Sequence, residues 1–194
     1  MQSQYMTKEA PPILKKYRFT VDTYHRMADA GLFPPETRVE LIDGEIIEMS
    51  PIKSSHADCV DKLSEWLIIQ LHQHAVVRVQ NPITLDVLSE PEPDLAVVIR
   101  KPGGYKDAHP APKEVLLLIE VADTSLEKGR NIKLPLYAAA GIPEAWLVNL
   151  PEQTIEVHTE PSAEGYSSIH IYRKGDTITT PSVKGLSMDK VLTA

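Results

Sequence analysis

Residues 115–121 read Val-Leu-Leu-Leu-Ile-Glu-Val, an almost unbroken run of branched apolar side chains. A strand of this composition is covered on both faces, which places it inside a sheet flanked by helices rather than at a solvated edge. The run therefore predicts an α/β (α+β) chain with a mixed β-sheet between helices. Glu120 interrupts the run, and an ionised carboxylate in such surroundings is costly unless a cation or hydrogen-bond donors compensate it. One segment thus fixes the layer architecture and marks a residue that needs a partner.

The flanking elements follow from punctuation and period. Thr20 to Gly31 has a capping threonine, apolar positions at Tyr24, Met27 and Ala28, and a terminal glycine, and reads as a short N-terminal helix. Arg38 to Met49 alternates around Asp43-Gly44, which predicts a β-hairpin. Ser54 or Ser55 caps a long helix to about Ala75 with Val60, Leu63, Leu67 and Leu71 as its buried stripe. Strands are expected at Val76–Gln80, Ile83–Leu88 and Leu95–Ile99, then a Pro- and Gly-rich loop to Pro112. A second helix runs from about Leu126 to Ala140, followed by a short buried strand at Ala145–Asn149. Thr154–His158, Tyr166–Tyr172 and Thr177–Thr180 read as a C-terminal antiparallel meander at the sheet's far side.

A chain of 194 residues builds one core, so residues 18–194 are read as a single domain behind a polar leader, residues 1–17. No apolar run approaches the ~20 residues of a membrane helix, and the single cysteine, Cys59, is read as a small buried hydrophobe; both point to a cytoplasmic protein. The net charge of −7 argues against strong nonspecific binding to a polyanion. Carboxylates gathered around a divalent cation lower the net charge without making a phosphate-facing surface negative.

Asp94 starts one predicted strand and Glu120 ends another. If the two pair antiparallel, start faces end and the carboxylates become neighbours at one sheet edge. Two carboxylates with waters are what Mg²⁺ or Mn²⁺ takes, being oxygen-seeking and reluctant to lose all its water. On the following helix, positions 129, 133 and 137 share a face, so Lys133 reaches back toward the same place and could orient an attacking water. His72 and His74, two apart, do not make a metal pair.

Glu92-Pro93-Asp94, the segment from Ile119 to Leu126, and Lys133-Leu134-Pro135-Leu136-Tyr137-Ala138-Ala139-Ala140-Gly141-Ile142-Pro143-Glu144 resemble the Uma-two family, grouped with the PD-(D/E)XK nucleases. Val39 to Glu45, His56 and Trp146-Leu147-Val148 match as well, so the resemblance covers about Arg18 to the end. It implies a restriction-endonuclease-like core, with Asp94 and Glu120 as metal carboxylates and Lys133 as the catalytic lysine, moved to the helix because position 122 is Ala. Two places depart from the pattern. Gly129 stands where relatives carry an acidic residue facing the lysine, and Asn149 where many carry Asp.

Taken singly, Asp94 could cap a turn, Glu120 could pair structurally with a lysine, and Lys133 could be solvated. His56 reads as a hydrogen-bonded residue behind the site; Glu40 could point into the cleft, but the simpler reading is an exposed hairpin position. Their joint placement, together with the family resemblance, predicts a Mg²⁺- or Mn²⁺-dependent endonuclease acting on DNA. It is expected to be a homodimer, since cutting both strands needs two sites related by a two-fold axis. The rival is a binding module that keeps the fold but has lost turnover, favoured by Gly129 and the acidic balance.

Overall fold

The computed structural model describes residues 15–123 and 126–192. Most of the expected leader, together with Thr124 and Ser125, lies outside the described residues. The elements run α1 (Val21–Asp29), β1 (Val39–Ile42), β2 (Glu45–Glu48), α2 (Ser54–Leu71), β3 (Ala75–Val79), β4 (Leu95–Ile99) and β5 (Val115–Ala122). There follow α3 (Leu126–Lys128), a π turn (Gly129–Lys133), α4 (Leu134–Ala139), β6 (Glu144–Asn149), β7 (Thr154–Ser162), β8 (Gly165–Tyr172), β9 (Thr177–Thr179) and β10 (Lys184–Ser187). Six strands form one mixed sheet in the order β3-β4-β5-β6-β7-β8, with β5 and β6 parallel and the other neighbours antiparallel. This is the mixed α/β sheet between helices that the central run predicts, in keeping with the core that the family resemblance implies.

Alternation along β5 sends its side chains into two separate cores. Leu117, Ile119 and Val121 join Leu63 and Leu67 of α2, Trp146 of β6, and Ile178 and Leu186 of the β9–β10 hairpin. Leu118 and Ala122 face the other way, with Leu147 of β6 and Leu134 and Tyr137 of α4. Glu120 lies between Leu118 and Ala122 and so points into the α4 layer. The hairpin β1–β2 turns at Asp43 and Gly44, with φ of 49° and 74°. Gly44 is also required sterically, because a Cβ there would lie 2.6 Å from Arg18 Cβ.

Four expectations change. Ser54 begins α2 instead of capping it, with Lys53 at the N-cap position, and the helix stops at Leu71, short of Ala75. Residues 83–88 are not a strand. Ile83 and Leu85 are buried at alternate positions, but their amides bond to the Pro91 and Ser89 carbonyls in a folded-back loop, so period two here comes from loop packing. Residues 177–179 leave the main sheet and pair with β10, an unanticipated strand. The second helix is interrupted by its π turn, where the Leu134 amide reaches back to the Gly129 carbonyl. Pro135 has no N–H to give to Asn131 and its ring crowds that carbonyl, and a widened turn relieves both problems.

Candidate active site

β4 and β5 pair antiparallel with Leu95 opposite Ile119. One step further along this register brings Asp94 opposite Glu120, so start faces end as the sequence predicts. Both residues line a cleft of about 100 Å³, roofed by the hairpin and by the start of α2 and walled by the π turn. That volume admits a hydrated ion and a few waters, each about 30 Å³.

Asp94 is held by donors from two directions. Its Oδ2 accepts the Val121 amide at 2.8 Å, and its Oδ1 lies 3.1 Å from His56 Nε2. Burial pushes the Asp94 carboxyl up, but the His56 contact and the Val121 amide outweigh it and leave the group below the ordinary carboxylate range. His56 is shifted the opposite way, raised by the same contact. Its expected place behind the site is the observed one.

Glu120 is harder to accommodate. Its Oε1 accepts the Tyr137 hydroxyl at 2.5 Å and its Oε2 the Lys133 ammonium at 3.1 Å. Burial nevertheless dominates, and with Asp94 and Glu40 nearby it lifts the carboxyl to about 7 in spite of Lys133. Lys133 is itself only 4% exposed. Burial alone would lower it, yet the Glu120 and Glu40 carboxylates leave it raised. The Glu120–Lys133 contact thus costs the carboxylate less than isolation would, without making ionisation free.

Glu40 is the residue that sequence reasoning misplaced. It is buried to 1% exposure, with Oε2 3.1 Å from Lys133 Nζ and 3.0 Å from the Glu92 amide, and Oε1 2.7 Å from Lys128 Nζ. The hairpin folds under the sheet edge, tied through a bridge between Leu41 and Glu90, and carries Glu40 inward. The usable signal was the one that marked Glu120, an acidic residue inside an apolar stretch, Val39-Glu40-Leu41-Ile42.

Gly129 also acquires a different reading. It is buried, and a Cβ on it would stand 2.9 Å from Leu147 Cδ1, itself fully buried. A side chain at position 129 would have to push the buried Leu147 aside, whereas Glu40 already faces Lys133. Gly129→Ala, which would stabilise an ordinary helix by up to ~1 kcal/mol, is expected here to destabilise by roughly 1–3 kcal/mol. Chemical denaturation checks the sign. Asn149 is buried with its Oδ1 accepting the Glu152 amide at 3.2 Å, a turn-capping arrangement. Cys59 is buried beside α2's core residues with its thiol pushed up to about 12 by burial, matching its reading as a hydrophobe.

No group of three or more His, Cys, Asp or Glu side chains is disposed to hold a metal ion among the described residues. The donor set is two carboxylates lining one space, with Glu120 raised chiefly by burial. Such a pair fits Mg²⁺ or Mn²⁺ keeping most of its water, and does not fit a metal that needs a full protein cage. No helix among the described residues is long and apolar enough to cross a membrane.

Comparison with known proteins bears on the fold and the family. No curated protein matches the chain in sequence. A crystal structure from Anabaena variabilis, titled a "putative nuclease belonging to DUF820", superposes with a TM-score of 0.69 over 90% of this chain and 97% of that one, at 18% identity. That likeness establishes the shared fold. The model of the Uma2 family, described as "Putative restriction endonuclease", matches residues 21–193, from the first helix to the C-terminal segment, and the chain belongs to that family.

Proposed function

We propose that this protein is a divalent-metal-dependent endonuclease that hydrolyses phosphodiester bonds of DNA, with Asp94 and Glu120 as the metal-holding carboxylates. The observation that carries the reading is Glu120, a carboxyl raised to about 7 in a buried place opposite Asp94, where folding alone gains nothing from it. Mg²⁺ or Mn²⁺ bound there would supply Lewis acidity toward a phosphate oxygen and lower the pKa of a bound water. The chain's own residues prepare that place. His56 and the Val121 amide fix Asp94, while Tyr137 and Lys133 fix both oxygens of Glu120. Lys133 favours the ionised form of Glu120 and, with Glu40, ties the π turn to the sheet and hairpin.

The test is cleavage of supercoiled plasmid. Wild-type protein with Mg²⁺ or Mn²⁺ is expected to produce nicked or linear DNA, and Asp94→Asn or chelation to abolish it. Failure to cut plasmid, single-stranded DNA or RNA while metal still binds would support the second reading, a binding module without turnover. That reading is favoured by the net charge of −7 and by the pairing of cleft cations with carboxylates, Arg38 with Glu92 and Lys53 with Asp123.

A homodimer suits cutting of both strands. β8 is the outer strand of the sheet, and Ile169 and Ile171 on it are 56% and 42% exposed. An uncovered, uncharged edge strand favours pairing with another copy. Light scattering is expected to report twice the chain mass, and a monomer at micromolar concentration would remove this part of the proposal.

A further inference from the structure

Lys133 is at the centre of the cleft, yet its ammonium is fully engaged. An ammonium has three N–H donors and no acceptor. Three protein oxygens surround this one: Glu120 Oε2 and Glu40 Oε2 at 3.1 Å each, and the Glu92 carbonyl at 3.0 Å. With the side chain 6% exposed, a phosphate or water reaches that nitrogen only by displacing one of them.

Lys128 lines the same cleft and differs on both counts. Its side chain is 27% exposed, and among the described residues the oxygen that meets its Nζ is Glu40 Oε1 at 2.7 Å. The Glu40 side chain is fully buried, and this oxygen makes no directed hydrogen bond, so Lys128 acts as its counter-ion. One carboxylate therefore holds two lysines, one on each oxygen. That sharing puts Lys128 beside Lys133, and Lys133 touches Glu120. The ion pair with Glu40 leaves the rest of the part-exposed Lys128 ammonium, which carries three N–H donors, turned to the cleft. Lys53, the other lysine lining the cleft, is 56% exposed and pairs with Asp123 at 3.3 Å, away from Glu40.

We infer that Lys128, anchored by Glu40, is the cation that receives the phosphate of the nucleic-acid substrate, while Lys133 is a positioning residue confined to holding Glu120 and Glu40. The inference rests on the nuclease reading above. It also suits the helix start in this chain, where a side chain at position 129 would displace Leu147 and the charge facing the cleft comes from the preceding residue.

The test is equilibrium binding of a short fluorescein-labelled DNA duplex, by anisotropy over a series of salt concentrations with Ca²⁺ present. Lys128→Gln removes the charge and shortens the side chain while keeping a polar donor at the position. It is expected to weaken binding about tenfold and to reduce the slope of log Kd against log salt by about one. Lys128→Arg should restore the slope, and the Mn²⁺-induced rise in melting temperature should be the same in Lys128→Gln as in wild type. Lys53→Ala serves as the control, with a smaller effect on both quantities. Wild-type binding with an unchanged Kd and slope in Lys128→Gln, or a larger loss in Lys53→Ala, would overturn this inference alone. Wild-type protein that neither binds nor cuts nucleic acid would instead bring down the nuclease reading, and this assignment with it.

Discussion

Lys133→Ala is expected to destabilise the protein by about 3 kcal/mol at pH 8, because removing one member of a buried ion network leaves its partners uncompensated. Among the described residues, Glu120 loses the one cation that touches it and Glu40 is left with Lys128. The loss should shrink toward pH 5. Glu120 is already raised to about 7 with Lys133 present, and without it the carboxyl rises further and is neutral in mild acid, where it no longer needs the lysine. Urea denaturation at the two pH values measures this. An equal, small loss at both would mean that Lys133 contributes little more than its aliphatic stem.

Glu120→Gln is expected to have the opposite sign. The unfolded carboxyl titrates near 4.5 and the folded one near 7, so the folded state binds its proton more tightly. Stability is therefore lost as pH rises from about 4.5 through 7, and above that range the full penalty applies, of order 3 kcal/mol at 1.36 kcal/mol per pH unit. Replacing Glu120 by the neutral, nearly isosteric Gln should recover roughly 1–3 kcal/mol at pH 8 without divalent metal, part of the gain being offset because Lys133 loses an anionic partner. At pH 5, where both side chains are neutral, the variant should match wild type. Destabilisation at pH 8 would mean that ionised Glu120 is a net structural asset. A variant more stable than its parent identifies a residue kept for a purpose other than folding.

Much of this was legible in the sequence because the decisive signals were local. The apolar run ending in Glu120 marks a central strand, Asp43-Gly44 marks a tight turn, and Leu95–Ile99 is a strand of that extent. Antiparallel pairing of β4 and β5 then brings Asp94 opposite Glu120 without further information. What escaped depended on tertiary placement. Glu40 looks like a solvated hairpin residue until the hairpin is seen folded beneath the sheet edge, tied by Glu90. Gly129 looks like a lost carboxylate until Leu147, on a strand that begins well after it, closes the space. Ile83 and Leu85 imitate a strand because loop packing can also bury alternate residues. The π turn had a visible cause in Pro135, but its consequence, both Gly129 and Lys133 buried, depends on what packs against the helix.

The role first expected of Lys133 is narrowed by the same geometry. The sequence pointed to a lysine that orients water, whereas its three N–H groups face three protein oxygens. Under the proposed function a lysine in that state would hold the carboxylate that a metal would use, and orientation of the reacting groups would fall to what Asp94 and Glu120 bind.

The central claim, that Asp94 and Glu120 share a cation, is tested most directly by thermal unfolding across a Mn²⁺ titration of wild type and of the Asp94→Asn and Glu120→Gln variants. A cation that binds only the folded state should stabilise wild type progressively, by about 2.7 kcal/mol when Mn²⁺ is a hundredfold above its Kd. Neither variant should respond over the same range. A wild type indifferent to Mn²⁺, or a full response that survives in either variant, would contradict the assignment of these two carboxylates.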